Sequence, residues 1–196
     1  MSTILDTIGS TIMAGLIILA VMNMNISLSE TGSDTNVKVI TQSNLTAIAD
    51  GIKYDFYKIG FRASPAIIFA DTSAITFRSD LGKDGTPDTV RYWISAPLAG
   101  TGMNPGMRTL YRSVNGSSPT GASLGQTSFD LHYFDSTGTE IPIPAGGISN
   151  QSVLSQIKSM QIALMVQSPN VMISDSTYAG AYWVEHVSPK NLRTLM

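Results

Sequence analysis

The chain has 196 residues, 12 basic and 14 acidic side chains, a net charge of -2 and no cysteine. Without thiols neither a disulfide framework nor a thiolate metal site forms. The basic residues build no run that would neutralise successive phosphates, which argues against nucleic acid as a main partner. Charged residues are only 13% of the sequence while Gly, Ser, Thr and Asn are abundant, a balance suited to a surface or extracellular protein. The length accommodates one cored domain with an appendage.

The opening run "MSTILDTIGSTIMAGLIILAVMNMNISLSE" carries a single charge, Asp6, before Glu30. It predicts a helix, and roughly 20 such residues span about 30 Å, the thickness of a hydrocarbon layer. No Lys or Arg precedes Lys38, and "NMNISLSE" is a poor cleavage site, so the run does not read as a secretory signal. Small residues at Gly9, Ser10, Ala14 and Gly15 allow close approach of a neighbouring helix backbone. We therefore assign residues 1–30 to an apolar membrane or filament-core helix and 31–196 to a globular head. An isolated carboxylate in hydrocarbon costs several kcal/mol or takes up a proton, so Asp6 needs a cation or hydrogen-bond donor. Two placements answer that need: pairing with a chain-terminal amine of its own or an adjacent subunit, or a position at the water interface near the positive end of the helix dipole.

The polar stretch "SLSETGSDTNVKVITQSN" predicts a break or extended linker. Beyond it Leu45, Ile48, Ala49, Ile52, Phe56 and Ile59 fall at i, i+3, i+4, i+7, i+11 and i+14, one apolar helix face. Asn44 or Ser43 is placed to cap this helix and Gly60 to end it. Tyr54, Tyr57 and Phe61 are expected to pack. From Ala66 the period becomes alternating. "AIIFADTSAITFRSD" and "TVRYWISAP" predict a strand pair around the turn "LGKDGTPD", followed by strands in "RTLYRSV" and "FDLHYFDSTGTEIPIP" with a loop over 115–126. In "SMQIALMVQSP", Met160, Ile162, Leu164 and Val166 alternate onto one face, expected to meet the helix over 45–60, and "AGAYWVEHVSPKNL" predicts an edge strand. The fold class is α+β: a long apolar N-terminal helix, then an amphipathic helix on an antiparallel sheet.

In "DLGKDGTPD", Asp80, Asp84 and Asp88 stand at relative positions 1, 5 and 9 with Gly85 at 6, the skeleton of a calcium loop. Position 3 is Gly82, Lys83 adds a positive charge, and no glutamate stands at position 12, so a plain hairpin turn explains the same letters. Calcium is thus the one cofactor considered. His132 and His186 are expected to be ordinary strand residues. Glu185 and His186, being adjacent on a strand, point to opposite faces and make no dyad. Nothing in the sequence points to an enzyme.

The apolar helix with its early acid, the phrase "YDFYKIGF", the pair around "FRSDLGKDGTPDTVRYWI", the strand "IKSMQIALMVQSP" and the ending "VEHVSPKNL" together resemble the type IV pilin superfamily. The pattern is most similar to its larger minor pilins and the minor pseudopilins of type II secretion. The resemblance implies a subunit that sits in the inner membrane before assembly. It then buries its N-terminal helix in the core of an extracellular filament, with copies of itself or other pilins as partners. It also implies a cleavable basic leader, which this chain lacks, so that either the chain is the mature product or export takes a different route, and a glutamate at the fifth mature residue. Aspartate stands here instead, and removal of Met1 would bring Asp6 to the fifth place. On this basis Asp6, Gly9, Ala14 and Gly15 are the expected assembly residues. A monomeric, membrane-anchored surface module binding through loops over 97–107 and 115–126 is the alternative.

Overall fold

A computed structural model describes residues 2–98 and 103–193. One helix, α1 (Ser2–Phe56), forms the spine. It is followed by β1 (Ile67–Ala70), β2 (Ala74–Ser79), β3 (Asp88–Ile94), β4 (Leu110–Val114), β5 (Thr120–Ala122) and β6 (Gln126–Phe134). A short α2 (Gln151–Leu154), then β7 (Ser159–Val171), β8 (Tyr178–Val187) and α3 (Lys190–Arg193) complete the order.

The expected break over 27–44 does not occur, and α1 runs through it. Ser, Thr, Asn and Asp weaken helices because their side chains offer the backbone other partners. Here those side chains are turned to uses that spare the helix. Thr35 and Thr41 donate to the carbonyls of Thr31 and Val37, four residues back, at 2.7 and 2.8 Å, and Asp34 reaches away to the head. The stretch has no proline and a single glycine, Gly32. Asn44 consequently caps nothing, and its side-chain amide donates to the Leu124 carbonyl at 3.2 Å. The helix ends at Phe56, four residues before the expected Gly60, and a run of tight turns carries the chain on to that glycine. Gly60 has φ +77°, its N–H donates to the Arg78 carbonyl at 2.9 Å, and an added Cβ would sit 3.0 Å from that of Ala66.

The head holds two antiparallel sheets where one was expected: β1-β2-β3-β4-β5, a meander, and β6-β7-β8. The run 66–80 is itself a hairpin, β1 against β2, reversing where the Asp71 carboxylate accepts from the Thr72 N–H at 2.8 Å. The pair around "LGKDGTPD" is β2 with β3, as the alternation predicts. The loop over 115–126 contains the short strand β5, paired with β4. The buried face of α1, with Leu45, Ile48, Ile52 and Phe56, and Ile59 in the turn just after it, lies against Phe77, Val90 and Leu110 of the first sheet and Leu131, Ile162 and Leu164 of the second. Met160, Ile162, Leu164 and Val166 are fully buried, as their alternation requires, and β8 is an edge strand.

One acid sits inside this face. Asp55, buried at 4% exposure, accepts from the Tyr92 hydroxyl at 2.7 Å and from Arg112 Nε at 2.6 Å, tying α1 to β3 and β4. Burial, and then the Asp55 charge, push the Tyr92 pKa far up. Burial works against the Arg112 charge, but the hydrogen bond and charge of Asp55, together with Tyr92, outweigh it and the pKa rises. Breaking a fully buried pair costs about 3–5 kcal/mol, and the 38% exposure of the Arg112 side chain reduces that. Asp55→Ala is therefore expected to destabilise the head by about 2 kcal/mol in urea unfolding, with Asp55→Asn costing less because it still accepts from Tyr92.

Candidate assembly interface

Every residue from 3 to 29 is exposed, so about half of the 55-residue α1 stands clear of the head. At 1.5 Å per residue the bare part, as far as residue 33, is about 45 Å long. Its Ile, Leu, Val and Met side chains keep more than half of their surface open, including Leu5 at 75% and Ile4 at 67%. Leu16, Ile17, Ile18 and Leu19 in succession carry the apolar surface fully round the helix. A helix apolar on all sides belongs in a core or a bilayer, and α1 is long and apolar enough to cross a membrane, with a mean hydropathy of 2.1 over an 18-residue stretch. The few hydroxyls suit such surroundings: Thr7 and Thr11 donate to the carbonyls of Thr3 and Thr7 at 2.6 and 2.7 Å.

The expected assembly residues lie on this surface. Asp6 is exposed, and among the described residues nothing pairs with it; Met1, whose removal would set the expected register, lies outside the described residues. A Cβ added to Gly9 or Gly15 would meet nothing within 4 Å, and Ala14 is exposed. At about 100° per residue, Gly9, Ala14 and Gly15 point in three directions some 100–140° apart. The positions where a neighbouring backbone could come close thus surround the helix instead of forming one seam.

Where the helix enters the head it is pinned by a residue that the sequence hid inside the supposed linker. Asp34 is buried at 5% exposure, and its Oδ1 and Oδ2 accept from the N–H groups of Ile173 and Ser174, at 2.9 and 3.1 Å, on the β7–β8 connection. The Ser174 side chain first, and the Ile173 amide next, hold its pKa below the ordinary carboxylate value. At the other end of the head Lys53 Nζ lies 2.8 Å from Glu185 of β8, a hydrogen bond that raises the lysine pKa. Asp34 carried no recognisable motif. Asp55 did carry a signal, as an acid three residues after Ile52 within an apolar stripe.

The three aspartates of the turn act as turn-holders. Asp80, buried at 1% exposure, accepts from the N–H groups of Asp84 and Gly85, both at 3.1 Å, and lies 3.5 Å from Arg62. Asp84 accepts from the Thr86 N–H at 2.8 Å. Asp88 accepts from the Leu81 N–H at 3.1 Å and from Asn115 at 2.7 Å. Among the described residues no three His, Asp or Glu side chains are grouped to hold a metal. Glu185 faces α1 whereas His186 packs on the Phe134 ring, 5.4 Å between centroids, so the two do point apart. His132 Nδ1 lies 2.6 Å from Glu140 Oε1 on the exposed side of β6. Of the two candidate loops, residues 99–102 lie outside the described residues.

No protein-family model matches this chain, and no curated protein or solved structure is similar to it. The long apolar N-terminal helix followed by antiparallel sheet is compatible with a pilin-like architecture.

Two expectations follow from these anchors. Because the folded-state pKa of Asp34 is depressed, its contribution is complete above the ordinary carboxylate value near 3.8 and is lost as the pH falls through the lower folded value. Hydrogen exchange at Ile173 and Ser174 should accelerate over that acid range in the native chain, and at neutral pH already in Asp34→Ala. Asp80→Ala, which strips a buried acceptor from two amides, should lower the head's stability by about 1–3 kcal/mol in urea unfolding, and Asp84→Ala by well under 1.

Proposed function

We propose that this chain is the structural subunit of an extracellular, pilus-like filament. It would be held in the membrane by α1 before assembly and then packed through residues 3–29 into a common apolar core, with the β-rich heads outside. The carrying observation is the bare helix, apolar on every side and bearing Gly9, Ala14 and Gly15 on three sides of it. Lipid covers a helix of any side-chain size, whereas several neighbouring helices at close range require small residues facing several ways. Copies of the same chain, or other pilins, are the partners. Burying one large apolar side chain contributes about 1.5–3 kcal/mol, so even partial covering of fourteen such side chains between Ile4 and Leu28 stabilises assembly strongly.

Asp6 is the exception on that surface, and in an apolar core it needs a positive partner. No Lys or Arg precedes Lys38, so the terminal amine of an adjacent subunit is the cation at hand. Such a pair would fix the axial stagger between neighbouring helices. The membrane-anchored monomer remains the second reading because the same helix satisfies the length and hydropathy of a single span.

The two readings part on the material sheared from producing cells. Electron microscopy should show uniform filaments containing this chain, soluble without detergent; membrane-bound monomer alone would make α1 an anchor. Asp6→Ala and Gly15→Leu should each cut filament yield by about tenfold or more while the head melts unchanged, and Asp6→Glu should restore assembly. Normal yield from both damaging variants would overturn the proposal.

A further inference from the structure

The head has two poles along α1. Asp34 meets Ile173 and Ser174 at the pole nearer the bare helix, and Lys53 meets Glu185 toward the other. At that far pole a cavity of about 450 Å³, lined mainly by residues with polar side chains, opens between the turn after β6, the start of β7 and the end of β8. None of the assembly residues lines it.

Its walls hold both signs of charge and several hydroxyls. Asp135 Oδ1 is occupied, accepting from the Thr137 N–H at 2.8 Å, the Thr137 hydroxyl at 2.7 Å and the Thr139 N–H at 3.0 Å. The Thr137 hydrogen bond and the Thr139 amide keep the carboxyl ionised. All three of these bonds fall on Oδ1, which leaves Oδ2 as the acceptor Asp135 offers at the cavity wall. Lys158 is fixed by its main chain, whose N–H donates to the Phe134 carbonyl at 2.8 Å, while its ammonium has no acceptor among the described residues. Ser136 and Ser159 add hydroxyls, and the His186 ring, backed by Phe134, adds a flat partly apolar wall.

An ammonium without a protein acceptor offers a site to an anion, and the Asp135 Oδ2 offers one to an O–H or N–H donor. Inorganic phosphate answers the first and is repelled by the second. A neutral sugar answers the second and leaves Lys158 unpaired. We propose that this cavity binds an acidic sugar, a hydroxyl-rich ring bearing one carboxylate. The carboxylate pairs with Lys158, the ring hydroxyls are taken by Asp135 Oδ2, Ser136 and Ser159, and the C–H face of the ring rests on His186. The site is independent of the filament reading, since it uses only the head.

Saturation-transfer NMR with glucuronate as the probe, on the full chain in detergent micelles, tests this. Glucuronate should bind saturably and about tenfold more tightly than glucose, and excess phosphate or glycine should not displace it. Lys158→Ala should reduce glucuronate to the glucose level and Lys158→Arg should keep it, with thermal melting unchanged in both. Equal binding of glucose, displacement by phosphate or glycine, or full binding by Lys158→Ala would each overturn the proposal.

Discussion

Residues 3–29 of α1 present Ile, Leu, Val and Met on all sides, and the chain's own head covers none of them. Water is a poor surrounding for such a surface, so the protein is organised around a partner or medium outside itself. The helical backbone satisfies its own N–H and C=O groups, and hydroxyls such as those of Thr7 and Thr11 bond back to it, so entry into lipid or a helical core strands few polar groups. Asp6 stands apart from that pattern. It is the one group in the bare segment whose charge must be matched from elsewhere.

A bare helix of about 45 Å is also a lever on the domain that holds it. The head answers with apolar packing from Leu45 to Ile59 and with charged contacts spread along the same helix. Asp34 grips the β7–β8 connection, Lys53 grips β8 near its other end, and Asp55 reaches across to β3 and β4. These contacts engage both sheets, so rotation of α1 against either sheet breaks at least one of them. Two of the three acids are buried, which makes each contact costly to leave half-made.

Much of this was legible in the sequence. The uncharged run, the 3.6-residue stripe from Leu45 to Ile59, the alternation from Met160 to Val166 and the glycine at 60 each have a periodic or steric cause that local letters carry. The features that escaped depend on what the letters touch. Residues 27–44 have the composition of a linker, yet Thr35 and Thr41 bond to their own helix and Asp34 finds two amides nearly 140 positions away. Strand β5 was hidden by Gly121, which is needed because a Cβ there would come within 2.9 Å of Thr109 and 3.0 Å of Tyr111. The acidic turn matched a metal loop in spacing. Its carboxylates instead hold main-chain amides, a use that spacing alone does not distinguish.

The continuity of α1 bears on function as well as on fold. A tethered binding module gains reach from a flexible linker between anchor and head, because independent motion lets the head sample targets. A filament subunit gains from the opposite property. When the helix that packs in the core is the same rigid element that organises the head, each helix's rotation and stagger set the position of its head. The unbroken helix through 27–44, with Asp34 fixing the head just above the bare segment, provides that transmission. An interruption such as a pair of prolines placed at 31 and 35 would leave both the apolar segment and most of the head core intact while uncoupling them, and under the proposed filament reading it would injure ordered assembly far more than anchoring.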